Sequence, residues 1–202
     1  MLKKVPQQER SRALVEDILA AATRVLSERP LNAISTNLVA EVAGVSIGSL
    51  YQYFDSKQAI VDSLLERHVH ACIGLANTAL ADGSGGCAVD RYRTVLRELL
   101  AVHERERVLH LSFAAAGFTG SGLATAEHAA HARLLAGRLA KEFPHLSDAG
   151  SRLHAQVLMR MVNILVHGAI ELPGSGRDRL VVEHFDAFAA GYSRALAAPA
   201  PT

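Results

Sequence analysis

Two groups of side chains have the chemical types used in catalysis or metal binding, but neither has the spacing that such chemistry requires. His128 and His131 are three residues apart and adjoin Glu127, without the His-Glu-x-x-His pattern that binds zinc on one helix face. Cys72 and Cys87 do not form a Cys-x-x-Cys pair. The sequence also lacks a nucleophile elbow, a phosphate-binding glycine loop and a pair of catalytic carboxylates. We therefore expect no enzyme, no metal and no cofactor, and keep a histidine-dependent helical enzyme as an alternative.

A different arrangement lies near the N-terminus, where two short helical segments are joined by residues 43–46, Ala-Gly-Val-Ser. Glycine permits a tight reversal of the backbone, and Ser46 is suited to cap the helix that follows. Val39 and Val42 before the turn, with Leu50 after it, would pack the two helices at a fixed angle. This is the form of a helix-turn-helix, whose second helix enters the major groove of B-DNA with its first residues at the base edges.

Residues 36–60 read TNLVAEVAGVSIGSLYQYFDSKQAI and closely resemble the DNA-binding domain of the TetR family of repressors. The family pattern is roughly T-x-x-x-I-A-x-x-A-G-V-S-x-G-T-L-Y-x-Y/H-F-x-x-K-x-x-L. The departures are mild: Val39 stands for Ile, Ser49 for Thr and Ile60 for Leu. With the preceding helix included, the resemblance covers about a quarter of the chain.

The resemblance implies that eight residues contact double-stranded DNA. Three of them would read the base sequence: Asn37, Ile47 and Gln52. The other five would contact phosphates, or base edges in the case of the two serines: Thr36, Ser46, Ser49, Tyr53 and Lys57. Asn and Gln can pair with adenine, whereas isoleucine can only touch a thymine methyl. Ser46 taken alone could be simply a helix cap, and Tyr51 and Phe54 are expected in the core.

Helical periodicity in the apolar residues places these groups on an all-α scaffold of about nine helices. The expected helices span 11–29, 36–43, 47–54, 57–81, 89–107, 108–116, 123–143, 147–172 and 177–196. We expect residues 1–56 to form a three-helix DNA-binding domain and residues 57–202 a larger ligand-binding and dimerisation domain. The helix from residue 57 would link the two domains.

The middle helices are expected to enclose a pocket for a small apolar or amphipathic effector. Such pockets are mostly apolar, with a few polar groups that orient the ligand. The candidate lining residues are Leu100, His103, Leu111, Phe113, Phe118, Leu135, Met159, Asn163 and His167. Each of these residues is also compatible with ordinary core packing.

The last two helices carry more apolar surface than one small bundle would bury. The residues at helical spacing are Leu153, Val157, Leu158, Met161, Ile164 and Leu165, followed by Phe185, Phe188 and Tyr192. Internal core is one interpretation. The resemblance favours a homodimer through these two helices, which would present two recognition helices to a palindromic operator.

Composition limits the location and the mode of DNA binding. The chain of 202 residues has a formal net charge of +1, and residues 1–70 carry as many acidic as basic side chains. Bulk charge therefore gives no support to DNA binding, although Lys3, Lys4, Arg10 and Arg12 make the start of the chain locally basic. Two cysteines do not make a disulfide framework, and no uninterrupted apolar run is long enough to span a membrane. We expect a cytoplasmic protein with no membrane partner.

Together these features predict a dimeric DNA-binding transcriptional regulator, a repressor that a small molecule releases from its operator. A constitutive DNA-binding or architectural protein without an effector is a further alternative. The sequence does not identify the effector, the operator or the regulated genes.

Overall fold

The computed structural model describes residues 8–81, 86–115, 126–172 and 176–198, without the side chains of 112–115 and 177–178. Within these ranges the chain forms nine α-helices, one short 3₁₀ turn at Leu31–Ala33 and no strand. The helices are α1 Glu9–Glu28, α2 Thr36–Ala43, α3 Ile47–Tyr51, α4 Lys57–Ala81, α5 Ala88–Arg105, α6 Arg107–Ala115, α7 Ala126–Glu142, α8 Asp148–Glu171 and α9 Arg177–Ala197. The prediction of an all-α protein is confirmed.

The described residues fall into two compact units. Unit 1 comprises those of Met1–His70 and Val108–Phe118, and unit 2 those of Ala71–Arg107 and Thr119–Thr202. Helix α4 therefore contributes residues to both units. The sequence-based domain boundary at residue 57 coincides with the start of α4, whereas unit 1 also includes the first part of this helix.

Unit 1 is built around the apolar stripe of α1. Ile18, Leu19 and Leu26 are almost fully buried and recur at the spacing of one helix face. They share a core with residues from α2, α3, α4 and α6, which are Val39, Ala40, Leu50, Ile60, Val61, Leu64 and Leu109. The guanidinium of Arg24 on α1 also donates to the carbonyl of Val42 on α2 at 3.1 Å. Helix α1 therefore holds the two shorter helices in place.

Unit 2 is a helical bundle in which α8 packs against α5 and α7, and α5 also packs against α9. Its core includes Tyr92, Leu96, Leu135, Leu158 and Phe185, all of which are fully buried or nearly so. Ion pairs from Arg93 and Arg97 on α5 to Asp186 on α9, at 2.9 and 2.7 Å, tie the same helices at the surface.

Helix α8 is long and apolar enough to cross a membrane, judged by length and composition alone. Its most apolar window of 18 residues has a mean hydropathy of 1.2. Core helices of helical domains have the same properties, and α8 buries Leu158, Val162 and Val166 in the core of unit 2. We therefore interpret α8 as a core helix.

Most helix ends lie within a few residues of the predicted ends, and the one notable difference is at α3. The predicted helix to Phe54 ends at Tyr51, because the amides of Tyr53 and Phe54 both bond to the carbonyl of Leu50. Ser56 then caps α4 by accepting from the amide of Ala59 at 3.2 Å.

Candidate nucleic-acid interface

The turn between α2 and α3 is closed by a left-handed glycine. Gly44 has φ 68° and ψ 26°, and its amide bonds to the carbonyl of Glu41 at 3.1 Å. The amide of Val45 reaches back to Ala40 at 3.0 Å, so the carbonyls at the end of α2 are satisfied. An L side chain at residue 44 would strain this backbone, which explains why the sequence has glycine here.

Ser46 caps the start of α3 and is paired with Ser49. Its hydroxyl oxygen accepts from the amide of Ser49 at 3.0 Å and lies 2.8 Å from the Ser49 hydroxyl. One hydroxyl hydrogen is enough for the bond between the two side chains, so the other can still be donated to an external acceptor. The geometry establishes the capping role of Ser46, and the predicted DNA contacts of both serines stay predictions.

Helix α3 has an inner and an outer face. Leu50 is fully buried in the core of unit 1, whereas Ile47 is 38% exposed and Gln52 is exposed. Asn37, in the first turn of α2, is also exposed. The three predicted base-reading side chains are therefore all accessible, and the apolar anchor of α3 points away from them.

The two tyrosines of this segment differ from the expectation. Tyr51 was expected in the core but is 45% exposed, and its hydroxyl lies 3.0 Å from the hydroxyl of Thr36 at the start of α2. Tyr53 is buried in the core of unit 1, as Phe54 is. The core assignment of Tyr51 was wrong, and that of Phe54 is confirmed. The phosphate contact of Tyr53, which is 8% exposed, stays a prediction.

The spacing of residues in the sequence indicates the exposure of Tyr51. Tyr51 follows Ile47 by four residues, so both side chains lie on one face of α3. Leu50 and Phe54 have the same spacing and define the opposite, buried face. The Thr36 and Tyr51 hydroxyls thus form a polar pair that bridges the start of α2 and the end of α3.

Lys57, at the first position of α4, is bound within unit 1. Its ammonium donates to the carbonyls of Leu31 and Ile34, at 3.3 and 3.4 Å, in the segment that precedes α2. An ammonium has three hydrogens, so one remains for the phosphate contact that the sequence predicts. Lys57 therefore fixes the entry to α2, whatever it contacts on DNA.

The basic residues at the start of the chain are only partly described. Arg10 and Arg12 lie at the start of α1 and are exposed. Lys3 and Lys4 fall outside the described residues.

Among the predicted pocket residues of unit 2, two histidines lie close together. The rings of His103 on α5 and His167 on α8 meet edge to face, with centroids 5.1 Å apart. Met159 and Asn163 precede His167 on the same stripe of α8, at intervals of four residues. Leu100 and Leu135 are buried in the core of this unit.

The remaining pocket candidates do not belong to the described part of unit 2. Leu111 lies in unit 1 and is 38% exposed. The side chain of Phe113 and all of Phe118 lie outside the described residues. The predicted lining therefore stays a prediction.

Sequence reasoning missed a buried polar chain in unit 2. The ring of His131 lies between the hydroxyl of Tyr92 and the amide oxygen of Asn77, 2.6 Å from each. The Asn77 oxygen only accepts, so Nδ1 of His131 carries the hydrogen and Nε2 accepts from Tyr92. Burial, assisted by the nearby His128, lowers the pKa of His131 to about 4. The sequence showed two histidines three residues apart, but nothing in it indicated that Tyr92 and Asn77 would satisfy one of them.

The two thiols have different surroundings. Burial, with a smaller contribution from the charge of Glu106, raises the pKa of Cys72 to about 12, so this thiol stays protonated at neutral pH. Cys87 precedes α5, and its sulfur lies 3.0 Å from the hydroxyl of Ser193 on α9. The raised pKa of Cys72 is the opposite of what a reactive cysteine requires.

Comparisons with known proteins find a likeness in sequence over part of the chain. Residues 18–64 match the sequence profile of bacterial regulatory proteins, tetR family. A segment of 67 residues is 34% identical to the HTH-type transcriptional repressor KstR2 of Rhodococcus jostii and covers 33% of each chain. A segment of 53 residues is 45% identical to the HTH-type transcriptional regulator EthR of Mycobacterium tuberculosis, covering 26% of this chain and 24% of that one. The matched segments thus span a third or less of these curated relatives.

Solved structures extend the likeness in fold over most of the chain. The fatty acid degradation regulator FadR of Bacillus halodurans superposes with a TM-score of 0.66 at 16% identity, covering 94% of this chain and 97% of that one. A TetR-family regulator of Streptomyces coelicolor gives a TM-score of 0.61 at 24% identity, covering 91% and 99%. At this identity the likeness concerns the fold alone. Residues 18–64, which include α2 and α3, therefore match the DNA-binding domain of bacterial regulatory proteins of the tetR family.

Proposed function

We propose that this chain is a cytoplasmic, dimeric repressor that binds a palindromic DNA operator through unit 1 and leaves it when a small molecule binds in unit 2. The observation that carries the proposal is the outer face of α3. It presents Ile47 and Tyr51 to solvent, with the exposed Gln52 directly after the helix, while Leu50 holds the helix to the core. A helix held in this way can enter the major groove with its first residues at the base edges.

The hydroxyl pair of Thr36 and Tyr51 supports the same proposal. The two groups join the start of α2 to the end of α3 at 3.0 Å and are exposed enough to meet a phosphate. Phosphate contacts fix the register of a protein on the duplex, and base contacts supply the sequence preference. We assign the first role to this pair and to the Ser46 and Ser49 hydroxyls, and the second to Asn37, Ile47 and Gln52.

Exposed apolar side chains on α8 and α9 support a homodimer. Leu153 and Ile164 are 60% and 69% exposed and lie on one stripe of α8, three turns apart, and Leu180 on α9 is also exposed. Large apolar side chains exposed along one helix face commonly mark a protein interface. A dimer would place two α3 helices about 34 Å apart, which suits two half-sites of a palindrome.

The ligand would bind in unit 2 beside the facing stripes of α5 and α8. His103 and His167 provide polar groups there, and Leu100 and Met159 provide apolar surface. These groups suit a small apolar or amphipathic molecule. Its binding would lower DNA affinity by a coupling of roughly 1–3 kcal/mol, or about 5- to 150-fold. Helix α4, with residues in both units, is the proposed lever.

The name of one relative supports repression as the direction of control. KstR2 is an HTH-type transcriptional repressor, and a segment of 67 residues of this chain is 34% identical to it. An activator would need a further contact to the transcription machinery, for which the described residues give no indication.

The experiment is selection of bound sequences from random duplex DNA, with and without a panel of small molecules. We expect one inverted repeat to be enriched and at least one compound to release it. Enrichment that no compound alters would favour a constitutive DNA-binding protein. Failure to enrich any sequence at several salt concentrations would contradict the proposed function.

A further inference from the structure

Two glycines lie four residues apart around the start of α3, and only one of them is required by the fold. Gly44 has a positive φ of 68°, which an L side chain rarely adopts. Gly48 is not among the described glycines with a positive φ, and it lies inside α3 with ordinary helical geometry. Backbone conformation therefore explains Gly44 and does not explain Gly48.

Packing within the protein does not explain Gly48 either. A β-carbon added at this residue would meet only the hydroxyl oxygen of Ser46, at 3.8 Å, which is an ordinary van der Waals distance. Gly48 is exposed, and the space beyond its α-carbon is open in unit 1. Alanine would fit here without any movement of the neighbouring residues.

Glycine at this position is unfavourable for the helix itself. Glycine loses more conformational freedom on folding than any other residue and ranks near the bottom of the helix propensity scale. Helix α3 spans only Ile47–Tyr51, so an unfavourable residue weighs heavily in it. A residue that the fold neither requires nor prefers is best explained by something outside the chain.

We infer that residue 48 is glycine because the DNA duplex occupies the space that a side chain would fill. The α-carbon of Gly48 is then in van der Waals contact with DNA. This inference rests on the proposed function and adds a contact to it. Gly48 follows Ile47, whose exposed side chain is proposed to reach a base edge. Together the two residues would allow α3 to approach the duplex closely. Ile47 would supply an apolar contact, and Gly48 would leave no side chain in the way beside it.

The test compares Gly48→Ala with Gly137→Ala in the full chain. Gly137 lies in α7 of unit 2, is exposed and has no atom within 4 Å of an added β-carbon, so it is a matched helical glycine away from α3. Both variants are expected to melt at or above the wild-type temperature, because alanine favours helix in both places. The affinity of each is measured on the duplex enriched by the wild-type protein. A third variant, Gly48→Leu, enlarges the side chain further without introducing a β-branched residue.

We expect Gly48→Ala to bind about tenfold more weakly or worse, as overpacking of a close contact does, and Gly48→Leu to bind more weakly still. Gly137→Ala should bind as the wild type does. A loss that is equal on all enriched sequences would place a sugar or phosphate against Gly48, and a loss that depends on one base pair would place a base edge there. Either result supports the contact.

Wild-type affinity in Gly48→Ala, or a lowered melting temperature that shows a structural need for glycine, would overturn the inference. These outcomes differ from failure of the proposed function, in which the wild-type protein itself enriches no duplex.

Discussion

Tyr51 and Tyr53 show how the same residue type takes different roles two positions apart. On α3, Tyr51 shares the outer face with Ile47, while Tyr53 follows the end of the helix and enters the core beside Phe54. The resemblance to the family pattern could identify both tyrosines but not their orientations. Spacing accounts for the difference: Tyr51 follows the exposed Ile47 by four residues, whereas Tyr53 follows the buried Leu50 by three.

Lys57 is a second residue whose surroundings could be predicted only in part from the sequence. The family resemblance implied a phosphate contact for Lys57, and in the structure its ammonium also donates to two backbone carbonyls. Such carbonyl partners are not recognisable from residue types, since every residue carries one. The positions of capping serines were predictable, because their hydrogen-bond partners are close in sequence.

Protonation of His131 should weaken the fold below neutral pH. Its pKa falls from 6.5 to about 4 in the folded protein, so the unfolded chain binds more protons between these values. The stability that the neutral ring contributes is present above pH 6.5 and is lost as the pH falls towards 4. The full difference amounts to roughly 3 kcal/mol in the free energy of unfolding.

Denaturant unfolding at pH 7.5 and pH 4.5 measures this effect. His131→Gln should be less stable than the wild type at pH 7.5, because it breaks the chain from Tyr92 to Asn77, yet lose less stability on acidification. His145→Gln, at an exposed histidine, serves as the control and should follow the wild type. If His131→Gln loses as much stability as the wild type between the two pH values, the buried neutral ring is not the cause.

At the scale of elements, the helix-turn-helix was the most predictable part of the molecule. Its signals are local: Ser35 and Ser46 cap α2 and α3 through amides three residues ahead, and Gly44 closes the turn. The end of α3 was less predictable, because two amides share the carbonyl of Leu50 and the chain has no helix-breaking residue there. The 3₁₀ turn at Leu31–Ala33 was likewise not predictable, because the sequence signal there is only that Pro30 ends α1.

The turn itself yields a prediction about stability. Gly44→Ala should destabilise the protein by about 1–2 kcal/mol, because a β-carbon is unfavourable in the left-handed region. An added β-carbon meets no atom within 4 Å here, so backbone strain is the whole cost. Thermal and denaturant unfolding measure the change, with Gly137→Ala as a control of opposite sign. Wild-type stability in Gly44→Ala would contradict the left-handed turn.

At the scale of the whole molecule, the helix count was predictable but the burial of individual apolar residues on α8 and α9 was not. Leu153, Leu158 and Ile164 look equivalent in the sequence, yet Leu158 is fully buried and the other two are exposed. Phe185, assigned to the interface set, is core as well. A helix that faces its own core on one side and a partner on the other has apolar residues on both. Helical periodicity alone does not distinguish the residues that face the core from those that would face a partner.

Charge introduced on the exposed stripe of α8 should break the proposed dimer. Ile164→Glu places a carboxylate on a large apolar face, and we expect monomers at concentrations where the wild type is dimeric. Leu134→Glu, at a residue of α7 that is 42% exposed, is the matched control and should stay dimeric. Sedimentation equilibrium measures the association. Dimers of unchanged affinity in Ile164→Glu would place the interface elsewhere.

The central claim is that the outer face of α3 reads DNA sequence. The most direct measurement is a fluorescence anisotropy titration of two duplexes, the enriched sequence and a scrambled one, with the wild type and with Ile47→Ala combined with Gln52→Ala. Leu134→Ala, at a site of similar exposure on α7, is the control. We expect the double variant to lose discrimination between the duplexes by about tenfold or more while keeping the wild-type melting temperature, since a good base contact is worth roughly 1–3 kcal/mol. A double variant that discriminates as well as the wild type would contradict the account.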